Sequence, residues 1–435
     1  MGGTRDTQVR RLCEQFMSSQ SHQVIIIGAG LSGLSCARSL HEHGIDFEVL
    51  ESTSRVGGRL GSDIMDGVTC DRGFQVSMSN YDALERPVPR CVLPRFGFTR
   101  GAVLVSGSRR VRVIDPKADP ISAVRLLFSG IGGWRDLRAA NRCRTLAAKV
   151  RGGHSVGGSA RTLIESVGFT SRFFESFLKP FFSGVLLDED LEVPAERFLA
   201  TLDRFAHGRA ELPEGGMQQI AEVMAQPIRS AISFDRTVTA AGDGWVELDD
   251  GSRLTCEHVV LAVPFDVLAR LVGHDGQDQA GAWSATGAVH FATTDKIPTE
   301  PIIYLNAMTD GRLNLVCVPS AVAEGYTAEG AHSIIASMRP WTGGHQAPVI
   351  SDSDLHGIRK EAGHLLGVDS SSWRHVHTNL IARALPAQKL ASPFPEKSSR
   401  LHATGDWLRW PSIESAVESG LELAETLAGQ LRRDA

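Results

Sequence analysis

Residues 24–60 constrain the fold of this 435-residue chain more than any other segment. Residues 24–27 (VIII) form a short, wholly apolar run, which is typical of a parallel strand buried on both faces. The turn 28–33 (GAGLSG) follows at once and opens a helix that we expect Gly44 to end. A further run at 47–50 predicts the next strand. This order of strand, glycine turn, helix and strand predicts a βαβ unit.

The glycines of the turn and the acid after the second strand each have a physical role. Gly28 allows the tight turn, Gly30 lets the backbone approach a pyrophosphate, and Gly33 lets helix and strand pack closely. A pyrophosphate would lie on the helix N-terminus, where free N–H groups and the helix dipole favour anions. Glu51 lies where a carboxylate accepts hydrogen bonds from an adenosine ribose. The predicted dinucleotide site contains Gly28, Gly30, Leu31, Ser32, Gly33 and Glu51.

The residues around Glu51 indicate which dinucleotide binds. An acid at this position suits NAD or FAD and disfavours NADP, because it would repel the 2′-phosphate. The continuation Gly57-Gly58-Arg59 favours FAD, since the glycine pair allows close backbone approach and Arg59 can bridge phosphate oxygens. A solvated basic turn is the alternative interpretation of Arg55 and Arg59.

With this GGR element, the chain resembles the superfamily of flavin amine oxidases, phytoene desaturases and protoporphyrinogen oxidases. Residues 71–75 (DRGFQ) resemble the family segment that reaches the flavin ring. Residues 212–217 (LPEGGM) resemble its middle motif, and 237–239 resemble the strand that touches adenine. Residues 401–406 (LHATGD) and the helix after Ser412 resemble its last motif, in which an aspartate binds FAD and a helix N-terminus points at the flavin ring. The resemblance thus implies FAD contacts from Gly58, Arg59, Gly73, Phe74, Gln75, Val238, Gly405, Asp406, Ser412 and Ile413.

The positions of these motifs predict the domain organisation. We expect an α/β fold with a Rossmann-type FAD-binding domain assembled from residues 22–75, 207–268 and 398–435, after a flexible extension at 1–21. The intervening residues 76–206 and 269–397 would form an inserted α+β substrate domain. Asp-Gly pairs at 243–244 and 250–251 predict two hairpins of a small meander.

The two insertions differ in their predicted secondary structure. We expect the first to be largely helical, at 121–150, 159–167 and 171–178, with Pro180 breaking the last helix. The second contains one predicted helix at 354–366, among strands predicted at 286–292, 302–305, 314–318, 333–338 and 375–381.

Composition indicates which classes of partner and which cellular compartment suit the chain. A net charge of −5 argues against a nucleic-acid surface. The chain contains no run of 18 apolar residues, so no integral membrane segment is predicted. Seven scattered cysteines without a CxxC pair indicate reduced thiols in a cytoplasmic protein and no structural zinc. The stretch 121–146 mixes apolar and arginine residues, so peripheral membrane contact is an alternative to a plain surface helix.

Three further features have a functional and a structural interpretation. The GxSxG match at 153–157 lacks the preceding buried strand of a hydrolase nucleophile. An aromatic cluster predicts either core packing or an apolar substrate wall; its members are Phe173, Phe174, Phe177, Phe181 and Phe182. Trp407 and Trp410 either line the active site, as aromatic residues of related amine oxidases do in this region, or pack in the core.

The implied chemistry is hydride transfer from a substrate C–H bond to the flavin, with loss of a proton from the neighbouring atom. The product is an imine where that atom is nitrogen and a carbon–carbon double bond where it is carbon, and no catalytic side chain is identified. Residues 284–287 lack the lysine that the amine oxidases carry ahead of the next strand. No cysteine follows Cys317, so we expect non-covalent FAD. The favoured function is oxidation of a largely apolar small molecule, with oxygen or a quinone as electron acceptor. The alternatives are an amine or amino-acid oxidase and a non-catalytic flavoprotein.

Overall fold

The computed structural model describes residues 22–114, 130–273, 283–308, 310–342, 349–386 and 400–434. These residues fall into two compact units. The first unit is drawn from Met1–Gly58, Ala221–Gln277 and Leu390–Ala435, and the second from Arg59–Ile220 and Asp278–Lys389. Residues 59–75 and 207–220, which the motifs assign to the FAD-binding domain, group with the second unit. The predicted extension 1–21 and the start of the predicted helix 121–150 lie outside the described residues.

Strands and helices are numbered in chain order. The strands are β1 (His22–Ile27), β2 (Phe47–Leu50), β3 (Ser62–Met65), β4 (Val68–Asp71), β5 (Ser77–Met78), β6 (Arg95–Gly97), β7 (Gly101–Ser106), β8 (Arg109–Ile114), β9 (Ala210–Pro213), β10 (Ile232–Ser233), β11 (Val238–Gly242), β12 (Trp245–Leu248), β13 (Arg253–Leu261), β14 (Trp283–Thr293), β15 (Ile303–Asn306), β16 (Leu313–Cys317), β17 (His332–Met338), β18 (Trp341–Thr342), β19 (Arg374–Pro386) and β20 (Leu401–Ala403). The α-helices are α1 (Leu31–Glu42), α2 (Asp82–Glu85), α3 (Trp134–Arg151), α4 (Ala160–Val167), α5 (Ser171–Phe173), α6 (Lys179–Leu186), α7 (Ala195–His207), α8 (Gln218–Ala225), α9 (Phe265–Leu271), α10 (Asp352–Leu366) and α11 (Ile413–Asp434). A π-helix spans Phe174–Leu178, and short 3₁₀ turns span Gln226–Ala231, Pro319–Ala321 and Asp406–Leu408.

The first unit is built on a seven-stranded sheet with the order β10-β2-β1-β13-β12-β11, and β20 also pairs with β13. The pairs β10–β2, β2–β1, β1–β13 and β13–β20 are parallel. The pairs β11–β12 and β12–β13 are antiparallel, which confirms the two hairpins predicted from the Asp-Gly pairs. The apolar run in β1, which lies between β2 and β13, is buried, as expected of a central parallel strand with both faces covered. The predicted α/β, Rossmann-type fold is therefore confirmed.

Helices α1 and α11 pack directly against each other in the first unit. Gly420 of α11 lies so close to α1 that a methyl group in place of its hydrogen would meet the Ser32 carbonyl oxygen and the Ser35 hydroxyl. The Cys36 amide nitrogen lies 3.0 Å from the same position. Helix α11 therefore depends on a glycine at its closest approach to α1.

The second unit is built on an eight-stranded sheet with the order β18-β14-β17-β16-β15-β7-β8, and β19 also pairs with β14. Most of its pairs are antiparallel, while β7 and β15 pair in parallel. The predicted strands of the second insertion and the predicted helix 354–366 correspond to β14–β17, β19 and α10. Strands β7 and β8 lie in the insertion that was expected to be largely helical, so that expectation was incomplete.

The helices of the second unit confirm part of the prediction for the first insertion. Helix α4 agrees with the predicted helix at 159–167, and α3 agrees with the predicted helix at 121–150 from Trp134 onward, while residues 130–133 are not helical. The prediction that Pro180 ends a helix is wrong, because α6 continues through it to Leu186. Residues Ser171–Phe173, Phe174–Leu178 and Lys179–Leu186 follow one another without a break, so Pro180 lies within one helical stretch. The π-turn directly before it, in which the Lys179 amide donates to the Phe174 carbonyl five residues back, accommodates the proline.

Candidate active site

The glycine turn after β1 has a conformation that a side chain would disrupt. Gly28 has a φ of +102°, and a Cβ atom there would lie 2.7 Å from the carbonyl oxygen of Ala262. A Cβ atom on Gly33 would meet the Gly28 carbonyl and would lie 3.1 Å from the Ala262 Cβ. Both glycines therefore let α1 start directly against the sheet.

The N-terminus of α1 is open on the side of Gly30. Gly30 is the N-cap residue with an ordinary φ of −72°, it supplies no side-chain cap, and the first turn holds no acidic residue. An added Cβ on Gly30 would have no heavy atom within 4 Å. The backbone N–H groups at the start of an α-helix have no partner within the helix, so this end favours an anion. Leu31 and Ser32 form its buried first turn.

Glu51 connects the end of β2 to the glycine turn. Its side chain is 7% exposed, and its Oε2 accepts a hydrogen bond from the Ala29 amide at 2.8 Å. Its Oε1 accepts from the Thr53 amide at 3.0 Å and from the Thr53 hydroxyl at 2.7 Å. A carboxylate oxygen has a second lone pair, so Glu51 can hold the turn and still accept a ribose hydroxyl.

The second glycine pair lies beside the first turn. The Gly57 amide donates to the Ala29 carbonyl at 2.8 Å, and Gly58, with a φ of +59°, would bring a Cβ to 3.3 Å from Gly30 Cα. The two glycine motifs, separated in sequence by the whole βαβ unit, thus converge within the first unit. In the second unit, the Arg59 guanidinium donates to the Ala384 carbonyl at 3.3 Å and lies 5.5 Å from the centroid of Trp283.

The remaining predicted residues of the first unit lie on the same sheet or directly after it. Val238 is half-buried at the start of β11, against the core of the unit. Asp406 is buried directly after β20. The Ser412 hydroxyl accepts from the Ser415 amide at 3.0 Å and thereby caps α11, whose first residue is Ile413. The Gly405 amide donates to the Ser419 hydroxyl at 3.2 Å, which ties the Gly-Asp turn to that helix.

The predicted flavin segment 73–75 belongs to the second unit. Gly73 has a φ of +85°, and Phe74 is half-buried with its ring 6.1 Å from that of Phe98. The side-chain Nε2 of Gln75 donates to the Arg59 carbonyl at 3.0 Å. Its Oε1 is buried without a hydrogen-bond partner among the described residues. A buried acceptor of this kind costs free energy unless a ligand donates to it, and a flavin carries such an N–H group.

The two tryptophans that follow the last motif lie in different environments. Trp407 is 1% exposed, its Nε1 donates to the Val263 carbonyl at 3.3 Å, and its ring lies 5.2 Å from that of Phe265. It packs in the core of the first unit, which agrees with the packing interpretation. Trp410 is half-buried. A substrate-lining role therefore remains a prediction for Trp410, while Trp407 is placed as a core residue.

Sequence reasoning missed a buried polar network directly before the flavin segment. Asp71 is the last residue of β4 and is buried, and its carboxylate accepts hydrogen bonds from three donors. These are the Ser62 hydroxyl at 2.5 Å, the Tyr326 hydroxyl at 2.7 Å and the Met217 amide at 3.0 Å. The network joins two quoted motifs, DRGFQ and LPEGGM, so a search for polar partners of Asp71 could have indicated it.

Burial shifts the ionisation of two groups at this network. The pKa of Asp71 rises to about 6 because burial disfavours its charged form, although three hydrogen bonds oppose the rise. The second group is His290 of β14, whose Nε2 lies 3.0 Å from the Asp71 backbone carbonyl. Its pKa falls to about 4, again chiefly because of burial. His290 is therefore a neutral imidazole at pH 7.

Other candidate sites have structural explanations within the described residues. The GxSxG match follows helix α3 and not a buried strand, and the Ser155 hydroxyl donates to Glu196 at 2.5 Å. No group of three His, Cys, Asp or Glu side chains is arranged to hold a metal ion in the described ranges. Among the helices that the structure describes, none is long and apolar enough to cross a membrane.

Comparison with known proteins extends these observations. The chain is 27% identical to the flavin-dependent L-tryptophan oxidase RebO of Lentzea aerocolonigenes over 297 residues, which cover 59% of this chain and 61% of that protein. It is 54% identical to human lysine-specific histone demethylase 2 over 54 residues, which cover 12% of this chain and 7% of that protein. The chain thus spans less than two thirds of either relative.

Solved structures and the family comparison cover nearly the whole chain. A wild-type putrescine oxidase bound to putrescine superposes with a TM-score of 0.70 at 16% identity and covers 94% of this chain and 99% of that chain. A reduced UDP-galactopyranose mutase superposes with a TM-score of 0.67 at 15% identity and covers 94% and 96%. These two likenesses establish the fold. The profile of the flavin-containing amine oxidoreductases matches residues 31–428. The chain therefore belongs to the flavin-containing amine oxidoreductase family, as its motifs predicted, and it is an enzyme that uses FAD.

Proposed function

We propose that the protein is an FAD-dependent oxidoreductase that removes a hydride from a largely apolar small molecule. Bound FAD supplies the hydride acceptor, the N5 atom of its ring system. The side chains of this protein then have three tasks, namely to hold the cofactor, to orient the substrate and to exclude water. This division explains why no acid–base pair stands out in the sequence.

The geometry within each unit supports the following assignment of the residues that would hold FAD. The open N-terminus of α1 at Gly30 would bind the pyrophosphate, and Glu51 would accept a ribose hydroxyl. Asp406 and the N-terminus of α11 would bind nearer the flavin ring, where a helix dipole stabilises negative charge. The unpartnered Gln75 oxygen would accept a hydrogen bond from the cofactor.

One observation carries the proposal of an apolar substrate, namely a ladder of aromatic rings in the hydrophobic cluster against which Phe74 packs. Successive rings along this ladder lie 5.6, 5.4 and 5.8 Å apart, in the order Phe169, Phe173, Phe177 and Phe181. Phe177 and Phe181 are only half-buried, and Phe74 packs against the same hydrophobic cluster. Since Phe74 precedes Gln75 directly, these rings would form an apolar wall beside the flavin segment.

The composition of strand β14 supports the same proposal. Strand β14 contains no lysine, and the nearby Lys296 is exposed beyond its end. His290 is the one ionisable side chain of β14, and burial lowers its pKa to about 4, which makes it a weak base. The missing lysine counts against an amine oxidase, while desaturation of a carbon–carbon bond also releases a proton, for which β14 supplies no strong base.

An amine or amino-acid oxidase is the second candidate. The family description and the likeness to an L-tryptophan oxidase favour it. The aromatic ladder would also suit the indole ring of such a substrate.

Anaerobic reduction of the purified holoenzyme distinguishes the two candidates. We expect the oxidised flavin spectrum to bleach with polyenes or porphyrinogens and to persist with amines and amino acids. Bleaching by amines alone, with release of ammonia and peroxide in air, would establish the second candidate. Reoxidation by oxygen and by a soluble quinone, followed as the return of the oxidised flavin absorbance, identifies the electron acceptor.

Two further properties belong to this proposal. Because no cysteine follows Cys317, we expect acid precipitation to leave a colourless pellet and to release all the flavin into solution. The scattered cysteines and the net charge of −5 favour a cytoplasmic enzyme with a small-molecule partner over a nucleic-acid partner. Peripheral membrane contact through α3, which exposes 70% of Trp134, is tested by vesicle sedimentation.

A further inference from the structure

The backbone carbonyl of Asp71 is held by side chains from two paired strands. His290 of β14 places its Nε2 3.0 Å from this oxygen, and Asn379 of β19 places its Nδ2 at 3.4 Å. The register of β14 and β19 pairs Ala288 with Asn379 and His290 with His377, so both donors lie on the same patch of the sheet. A carbonyl oxygen only accepts, so the Nε2 atom of His290 carries the proton.

His290 is suited to hold this carbonyl and unsuited to act as a catalytic base. It is 3% exposed, its Nε2 proton is donated to the Asp71 carbonyl, and its lowered pKa makes the other ring nitrogen a weak base. Burial keeps the ring neutral at pH 7, so the bond carries no net charge into the interior. An effect of His290 on the cofactor must therefore act through the backbone of Asp71.

The chain after Asp71 is fixed residue by residue. The Arg72 amide donates to the Gly61 carbonyl at 2.8 Å, and its guanidinium makes two bonds to Asp63 at 2.8 and 2.9 Å. Gly73 then has a left-handed conformation, with a φ of +85°. At Gln75 the side-chain Nε2 donates to the Arg59 carbonyl. The side-chain oxygen Oε1 is buried and has no partner among the described residues.

We propose that His290 is a positioning residue for FAD: by holding the Asp71 carbonyl it fixes residues 73–75 so that the Gln75 oxygen meets a cofactor N–H group. The inference rests on the proposed function, because it assumes that this segment faces FAD. Asn379 supports the same carbonyl at a longer distance, so His290 supplies the stronger of the two bonds.

The experiment measures the rate of FAD release from the holoenzyme by the rise of flavin fluorescence on dilution. His290→Leu removes the donor, His290→Gln retains an N–H donor, and Gln75→Met removes the proposed acceptor at similar volume. Ile358→Ala is the matched control, because Ile358 is buried in the core cluster that contains Val289 and Phe291, the neighbours of His290 in β14, and its truncation leaves the donor to the Asp71 carbonyl in place. It should lower the unfolding temperature without changing the release rate.

We expect His290→Leu and Gln75→Met each to release FAD about tenfold faster, the effect of one lost buried hydrogen bond. His290→Gln should stay close to the parent rate, and the visible band of bound flavin should shift in the two faster variants alone. The double variant should release FAD no faster than either single variant, since both act on one contact.

Parent-like release from His290→Leu, or from Gln75→Met where His290→Leu does not fold, would overturn the inference. Equal acceleration by Ile358→Ala would also overturn it, because general destabilisation would then explain the effect. A parent protein that binds no FAD at all would instead refute the proposed function.

Discussion

The amide of Ala29 donates to Glu51 Oε2 at 2.8 Å, so the acid that ends the second strand also holds the glycine turn that ends the first. The other oxygen of Glu51 holds Thr53 through two bonds. The carboxylate proposed to bind the ribose is thus already part of the turn that would receive the pyrophosphate. We therefore propose that cofactor binding and local stability depend on the same side chain.

Replacement of Glu51 should weaken both properties. Glu51→Ala leaves the Ala29 and Thr53 amides without their acceptor, and we expect the free energy of unfolding to fall by about 1–3 kcal/mol. FAD affinity, measured by fluorescence quenching, should fall in parallel. Glu48→Gln on the same strand is the control, because the Glu48 carboxylate accepts from the Ser233 hydroxyl and pairs with the His22 ring near the surface, away from the glycine turn. Parent stability in the Glu51→Ala variant would contradict the role assigned to the Ala29 contact.

Two glycines of one turn should separate folding from cofactor binding. Gly30 has an ordinary φ of −72° and open space around its missing Cβ, so Gly30→Ala should fold with parent stability. The new methyl group would occupy the space proposed for the pyrophosphate and should weaken FAD binding about 10- to 100-fold. Gly28→Ala should instead reduce the yield of folded protein, because Gly28 has a φ of +102° against the Ala262 carbonyl. Parent-like FAD affinity in the Gly30→Ala variant would place the pyrophosphate elsewhere.

The packing of α1 against α11 gives a prediction about stability alone. Gly420→Ala pushes a methyl group into the backbone of α1, and we expect a loss of about 1–3 kcal/mol in the free energy of unfolding. Gly429→Ala, on the same helix, meets only the Arg433 side chain at 3.7 Å and should be neutral or stabilising by up to about 1 kcal/mol. Chemical denaturation of both variants measures the difference, and equal stabilities would show that α1 and α11 can move apart at little cost.

The first unit could be predicted closely because its signals are local. The apolar run before the glycine turn, the turn itself and the two Asp-Gly pairs each determine a structure within a few residues. The convergence of Gly57 and Gly30 was indicated only through the family resemblance, since no spacing rule brings the two glycine motifs together.

The second unit was harder to predict because its contacts are distant in sequence. Strands β7 and β8 join the large sheet because β7 pairs with β15, about 200 residues later, and no local pattern indicates that partner. Likewise, Asp71 takes its donors from Ser62, Met217 and Tyr326, and its carbonyl is held by His290. A buried acid with partners from four separate segments becomes visible only when the chain is folded.

The two shifted pKa values at this network predict opposite effects of pH on stability. The pKa of Asp71 rises from 3.8 to about 6 on folding, so its contribution is fully present below pH 3.8 and is lost as the pH rises through about 6. Asp71→Asn removes this titration. The unfolding free energy of that variant relative to the parent should therefore rise by about 3 kcal/mol between these limits.

His290 should show the reverse dependence. Its pKa falls from 6.5 to about 4 on folding, so its contribution is present above pH 6.5 and is lost as the pH falls through about 4. The unfolding free energy of His290→Gln relative to the parent should therefore fall by about 3 kcal/mol as the pH rises over this range. Because the two terms nearly cancel in the parent, urea unfolding at several pH values should reveal them only in the two variants. Slopes of the same sign in both variants would show that burial does not set these two ionisations.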